Sequence, residues 1–519
     1  MADKRSYTDA DKKEDMKVLH GMGYAQELSR GMSKFSNFAI SFSIICILSG
    51  GINSFAQATG SIGGAGAGIG WIVGCCVSGF FAVAMAQIAS AYPTAGGLYH
   101  WGSILGNRFV GWVTAWLNLL GLITVMGAIN IGTAFFFQGT FGSLVGMTTD
   151  PVHIVLFVAI ITILQAIINH LGIRLTALLT DWSGYIILAT TVVLVVALLI
   201  FAPTHDWSRL WTFTNNSGDA GGGVFPQSDN LVYLFSLCLL LPIYTITGYD
   251  ASAHTSEETK NAAMSVPKGI INAVVISSLA GWVMVMAIMI AIPDMAAGAK
   301  QGWGVFFATM TAVLPGWLVQ LLYFFILITQ FLCGLATVTS TSRMLFAFNR
   351  DGGLPLVSKW VAGVSTRFRT PVAAIWTGAI LEILFVWLAQ TVSVGGTNIY
   401  TITVNATLIF LFLSFTVPIA AGFFAIGTSK WPTMGPWNIG TTMYRLFAIL
   451  SVLGMILIIY IAIQPPNQNV LWITLAFLVL AAIVWFGFEN RRFQGPPVGD
   501  IIKKKQAEIA AIEAKFGEA

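Results

Sequence analysis

Apolar runs of about 20 residues, each closed by a short polar stretch, succeed one another along almost the whole chain. A run of that length crosses a hydrocarbon core of roughly 30 Å as a helix. The pattern predicts twelve spans, at 35–60, 67–92, 109–140, 152–170, 178–202, 230–256, 267–293, 313–348, 371–391, 399–427, 444–464 and 470–489. Lipid offers backbone groups no hydrogen bonds, so the spans are read as helices and the fold as all-α. The intervening stretches leave little room for a separate soluble domain.

Composition agrees. The chain is 56% hydrophobic and 9% charged, against about 25% charged residues in a soluble domain. Charge also sets the orientation. With the N-terminus in the cytoplasm, alternation leaves only Arg209 and Lys300 outside and puts 24 of the 26 Lys and Arg inside. That is the asymmetry of a multi-pass protein of the cell (cytoplasmic) membrane with both termini cytoplasmic. The opening "DKRSYTDADKKEDMK" lacks the apolar core of a cleavable signal peptide, so the first span directs insertion. Cys46, Cys75, Cys76, Cys238 and Cys333 lie mostly in apolar spans without metal-ligand spacing and read as small hydrophobes. No Gly-rich loop ending in Lys-Ser is present, which removes ATP as the direct energy source. Lipid is an expected partner and nucleic acid is not.

Two spans are interrupted. The first meets "LSGGINS" at 48–54 and the sixth "IYTITGYDAS" at 243–252. These are matching positions if spans one to five (35–202) and six to ten (230–428) are two repeats. The other segments are then a tail at 1–34, an extracellular loop at 203–229, two further helices within 444–489 and a tail at 490–519. Paired interruptions in two halves point to a binding site near the bilayer midplane. At Gly50 and Gly51 the missing side chains let the backbone leave helical geometry and let a ligand approach the amides. A half-helix beginning near Ile52 would turn its N–H groups and positive dipole end toward a carboxylate. In the sixth span Pro242 removes a donor, Gly248 permits an unusual backbone, and carbonyls near Thr245, Ile246 and Thr247 suit an ammonium group or a small cation. Together the breaks fit a zwitterion. The plainer account is that glycine pairs let helices pack closely, as small residues do in membrane bundles.

These residues resemble the amino acid, polyamine and organocation superfamily, which shares the inverted-repeat fold of the bacterial leucine transporter. The likeness rests on "SGGI" at 49–52, "AQIASAYPTAGGLYHWGSILG" at 86–106, "TGYDASAHTSEETKNAAMSVPKGI" at 247–270 and "SRMLFAFNRDGGLP" at 342–355. Within it, the chain looks most like the amino acid and choline transporter branch, which includes 4-aminobutyrate permeases. The resemblance implies a permease and not an enzyme: a secondary active transporter of an amino acid, by alternating access and without a cofactor. It implies that the amides of Ser49, Gly50, Gly51, Ile52 and Asn53 hold a carboxylate and the carbonyls of Thr245, Ile246 and Thr247 an amine, with Tyr249 lining or closing the pocket. An organic cation such as choline, caged by Tyr244, Tyr249 and nearby aromatic rings, is the alternative; amino-acid exchange is another. Two departures bear on the driving ion: Gln87 stands where many members carry Glu, and the fifth span has no Lys.

Ionisable groups in spans are costly and so informative. Asp250 borders the sixth-span break, where it either attracts an amine, carries a proton or accepts bonds from freed backbone amides. Glu382, midway along the ninth span, is either a proton site or a neutral, hydrogen-bonded acid. Thr337 and Thr341 lie one turn apart on the eighth span, where the shared fold would build a sodium site; hydroxyls bonded to the preceding turn are the plainer account. Either Na+ or H+ is thus a candidate coupling ion. Glu257 and Glu258 could close a cytoplasmic gate with Arg343 and Arg350, or stand as ordinary solvated loop charges. Asn215-Asn216-Ser217 matches a glycosylation acceptor, and "DIIKKKQAEIAAIEAKFGEA" reads as a short amphipathic helix.

Overall fold

A computed structural model describes residues 7–391, 399–497 and 499–516. The start of the expected N-terminal tail, the approach to the tenth span, Val498 and the last three residues lie outside the described residues. Among the described residues, eleven helices are long and apolar enough to cross a membrane: Lys34–Asn53, Gly66–Ala91, Arg108–Val145, Pro151–His170, Ile173–Phe201, Ala262–Ala291, Gly316–Arg350, Val372–Thr391, Val404–Ala425, Thr441–Ala462 and Asn469–Arg492. The sixth span is the shorter helix Leu231–Thr245, which stops at the expected break and resumes as Ala251–His254. Counting it gives spans 1 to 12 in chain order. The fifth span starts earlier than expected, because Ile173 and Thr176 are buried at its foot and extend the helix past the polar signal at Arg174.

Burial separates centre from rim. The apolar windows of spans 1 and 3 are 83% and 89% buried, whereas those of spans 4, 9 and 12 are only 33%, 33% and 22% buried. Rim helices turn rows such as Ile160, Leu164, Leu480 and Ile483 outward, as lipid-facing helices do. Span 3 packs along span 10 and against spans 8 and 9, while span 7 lies against spans 1, 2 and 5. Span 1 packs against spans 5, 7 and 8 and span 6 against spans 2, 10 and 11, so uninterrupted helices flank both interrupted ones.

Both described tails sit at one end of the bundle. Residues 22–32 cross that end as a strap: Met32 N–H donates to Glu258 O (2.9 Å), and Lys260 N–H donates to Met32 O (3.0 Å). Arg30 donates to Thr259 O (2.7 Å), and Arg369 to the carbonyls of Gln26 and Leu28 (3.2 Å each). The expected amphipathic tail helix is present as Asp500–Lys504 and Gln506–Phe516. Its Glu513 accepts from Gln26 N–H (3.0 Å) and lies 2.7 Å from His20 Nε2. At the other end Asn215 closes a turn, donating to Ser228 O (2.7 Å) and accepting from the Ser217 hydroxyl (2.7 Å).

Candidate functional site

Span 1 does not break at the glycine pair. It runs as Lys34–Ile45, leaves helical geometry at Cys46 (φ 17°, ψ 85°) and resumes as Ile47–Asn53. The expected half-helix start near Ile52 is thus corrected to Ile47, which puts Ser49, Gly50 and Gly51 in its first turns. Cys46 O accepts from the amides of Ser49 (2.7 Å) and Gly50 (3.1 Å), closing the new helix at once. The glycines serve a close crossing instead. A Cβ on Gly50 would stand 3.0 Å from Thr245 Cα, and one on Gly51 would stand 2.9 Å from Met284 Cε.

Span 6 opens where its sequence suggested. Its helix ends at Thr245, Ile246 is non-helical, Gly248 takes φ 92°, and helix resumes at Ala251. That φ suits glycine, and a side chain on Gly248 would also overlap Ile44 beside the span 1 break. The two interruptions therefore lie against each other. Their halves are cross-linked: Asn37 donates to Ser252 O (2.9 Å), Ser41 donates to Tyr249 O (2.9 Å), and Ser252 donates to Asn37 O (2.7 Å). The first half of span 1 holds the second half of span 6, and the glycines join the remaining two halves.

The other expected site residues divide into groups. Ile52 and Asn53 line a cavity of about 220 Å³ with Gly132, Phe135, Phe136, Trp303 and Phe307, on the side away from the tails. Tyr249 is fully buried with its ring 5.4 Å from that of Phe415, and Tyr244 is nearly so. Thr245 and Thr247 bond their hydroxyls to Leu241 O and Tyr244 O (2.7 Å each). On span 8, Thr337 donates to Cys333 O and Thr341 to Thr337 O (2.9 Å each), the turn-bonded arrangement. Span 8 reaches span 1 by other atoms: Cys333 Sγ donates to Ile44 O (3.2 Å) and Gln330 to Leu48 O (3.3 Å). Gln87 accepts from Ile439 N–H (2.8 Å) and fixes the loop between spans 10 and 11.

Glu257 and Glu258 are not solvated loop charges. They lie fully buried in the turn Ser256–Glu258, and each is held by two nitrogens of one arginine, Glu258 side-on by Arg343 and Glu257 end-on by Arg350. Arg343 donates to Glu258 at 2.8 and 3.0 Å; Arg350 donates to Glu257 at 2.8 and 3.0 Å. Bidentate charge-assisted pairs of this kind are strong and geometrically specific. Arg350 also stacks 3.8 Å over the Tyr24 ring of the strap. Tyr24 and Tyr99 both donate to Asp351 (2.7 and 2.9 Å), whose carboxyl burial pushes above the usual range.

The sequence reading missed His254, one turn beyond Asp250, with Nε2 3.3 Å from Asp250 Oδ2. The four-residue spacing was the available signal. It also missed Asn118 of span 3, which donates to the same acid (3.4 Å) and to Ser414 of span 10 (3.2 Å). Glu382 accepts from Asn130 (2.7 Å), which also meets Thr162 and Gln165 (3.2 and 3.0 Å).

A buried pair of discontinuous helices among long apolar ones, with ion pairs at the tail-bearing end, has the architecture of a membrane transporter of the broken-helix class. The chain belongs to the amino acid permease family, whose model matches residues 32–488. It is 30% identical over 511 residues to Amino-acid permease BAT1 of Arabidopsis thaliana, covering 93% of this chain and 96% of that one. It is 31% identical to the BAT1 homolog of Oryza sativa subsp. japonica, over 81% and 82% of the two chains. The GABA-specific permease of Saccharomyces cerevisiae is 30% identical, over 72% and 66%. Such proteins are transporters rather than enzymes, and this one is an amino acid transporter.

Proposed function

We propose that the protein moves a zwitterionic amino acid, 4-aminobutyrate or one of similar size, by alternating access between the broken halves of spans 1 and 6. The observation carrying this reading is the contact of the two interruptions, Gly50 on Thr245 and Gly248 on Ile44, beneath the cavity lined by Ile52 and Asn53. The break at Cys46 turns the positive dipole end of the second half-helix, which starts at Ile47, toward a carboxylate, although the amides of Ser49 and Gly50 are already bonded to Cys46 O. The non-helical stretch Ile246–Gly248 offers carbonyls to the amine. Tyr244 and Tyr249 stand on either side of that stretch.

Spans 1–5 and 6–10 act as the two repeats, and the tail-bearing end is the cytoplasmic one at the cell membrane, in keeping with the Lys and Arg asymmetry. The cavity at Asn53 then opens outward, and the Glu257–Arg350 and Glu258–Arg343 pairs form the inner gate. Transport needs no bound cofactor; Na+ or H+ supplies the drive. The reading is tested by uptake of a labelled amino-acid panel into proteoliposomes with sodium and pH gradients imposed independently. Saturable uptake with counterflow is expected. Choline uptake unaffected by amino acids would overturn it.

A further inference from the structure

Asp250 and His254 stand on the short helix that resumes span 6 after its break, both 1% exposed or less. His254 Nδ1 lies 3.2 Å from Ala95 O. A carbonyl only accepts, so Nδ1 carries a hydrogen. The other ring nitrogen lies 3.3 Å from Asp250 Oδ2, an ion-pair contact rather than an aligned hydrogen bond. With Asp250 ionised and His254 neutral, a nitrogen lone pair would face a carboxylate with no water between them. One proton on the pair removes that conflict, held either as imidazolium beside carboxylate or as imidazole beside carboxylic acid. Neither His254 Nε2 nor Asp250 Oδ1 has another hydrogen-bond partner, so a proton between Nε2 and Oδ2 meets no competing bond at the ring nitrogen.

The surrounding charges leave the pair to itself. Glu257 and Glu258 follow on the same segment, but each is matched by its own arginine, Arg350 and Arg343 of span 8. Span 3 and span 10 present the neutral Asn118 and Ser414. Span 1 presents the hydroxyl of Ser41 and the amide of Asn37, its Lys34 being exposed at the far end. Span 7 carries Lys268, only partly buried, and His100 in the 92–107 loop turns to Thr94. The neighbouring phenol is Tyr249, stacked on Phe415.

The pair is also connected to the gate through one residue. Ala95 accepts from His254 at its carbonyl and donates its amide to Glu257 Oε1 (3.0 Å), the carboxylate that Arg350 holds. Opening the Glu257–Arg350 pair would loosen Ala95 and with it the imidazole, letting water reach the proton.

We propose that Asp250 and His254 form the proton-binding site of this transporter, taking up one proton while the tail-side gate is shut and releasing it to water on the tail side when that gate opens. The site deepens the amino acid transport reading and rests on it. The ligand is H+ alone, and no covalent chemistry is involved.

The test uses the full-length protein in sodium-free proteoliposomes containing a pH dye, with the most active amino acid of the panel. Wild-type protein should accumulate substrate under an inside-alkaline gradient and acidify the lumen as substrate enters. His254→Asn keeps a donor for Ala95 and removes the nitrogen facing Asp250. It should retain counterflow exchange, which needs no net proton movement, while losing gradient-driven accumulation and the lumenal acidification. Asp250→Asn is read in the same way should the first variant not assemble. A His254→Asn protein that couples like wild type overturns the proposal. So does wild-type uptake indifferent to the pH gradient, which leaves the transporter reading intact. Absence of any amino-acid uptake or counterflow by the wild-type protein would instead overturn the transporter reading itself.

Discussion

Arg343 of span 8 and Glu258 beyond the span 6 break meet as a fully buried bidentate pair, with nitrogen to oxygen distances of 2.8 and 3.0 Å. Removing one member of such a pair strands the other charge and costs roughly 3–5 kcal/mol, whereas replacing both with apolar groups can be nearly neutral. Glu258→Gln and Arg343→Met should therefore each lower the melting temperature in detergent. The double change Glu258→Leu with Arg343→Met should recover much of that loss. If the pair is also a gate, the double variant stays slow in transport although it is stable. Recovery of both properties together would show a structural pair only.

The glycine pair gives a graded test. A Cβ on Gly50 meets the Thr245 backbone, which cannot yield without moving the span 6 break, while one on Gly51 meets the flexible end of Met284. Overpacking of this kind costs typically about 1–3 kcal/mol. Gly50→Ala should reduce both thermal stability and uptake, and Gly51→Ala should be milder in both. Equal tolerance at the two sites would mean the crossing is looser than described.

Glu382 is held by Asn130 within a wholly buried cluster that continues through Gln165, whose carbonyl accepts from Asn169, to Thr339. A side chain on Gly334 would overlap Gln165, so the helix approach at that glycine makes room for the cluster. Glu382→Gln keeps an acceptor for Asn130 and should change the melting temperature little. Glu382→Leu leaves Asn130 short of a partner at a cost of about 1–3 kcal/mol. Melting curves in detergent distinguish the two outcomes; a large loss with Gln would mean that the acid's own proton or charge is required.

Acid should weaken the tail-bearing end through His100. Burial, with a smaller contribution from the Arg350 charge, lowers its imidazole to about 3. The unfolded chain, with an ordinary histidine near 6.5, then binds more protons than the folded one between those limits. Stability from the neutral ring is complete above the ordinary value and falls as pH drops toward about 3. Asp351, raised by burial, acts in the opposite sense, so the comparison is with His100→Asn. That variant should show a shallower fall in melting temperature on the acid side. An unchanged slope would contradict the assignment.

Much of the architecture was legible because lipid allows so few solutions. Run length and the Lys and Arg asymmetry predict twelve helices and their order, and eleven long helices with one interrupted short one are found. The sixth-span break was legible at Gly248, where the backbone needs a positive φ. The first was misplaced by one turn, because the glycines at 50–51 mark a close crossing and the turn itself falls at Cys46, a residue with no breaking signature. The candidate gate was visible as four charged residues, but their burial was not. It depends on the strap at 22–32 folding over them, a long-range contact that no local pattern announces. His254 was overlooked for the opposite reason: its spacing from Asp250 was plain, yet a lone histidine carries no weight until Ala95 and Asn118 are seen around it.

The most direct measurement is counterflow in proteoliposomes: vesicles preloaded with an unlabelled amino acid, 4-aminobutyrate included, and exposed to a trace of the labelled one. A carrier with its site between the broken halves of spans 1 and 6 gives a saturable, transient accumulation of label, reduced in Gly50→Ala. Flux that never saturates, or label that enters without regard to the preloaded amino acid, would contradict the account.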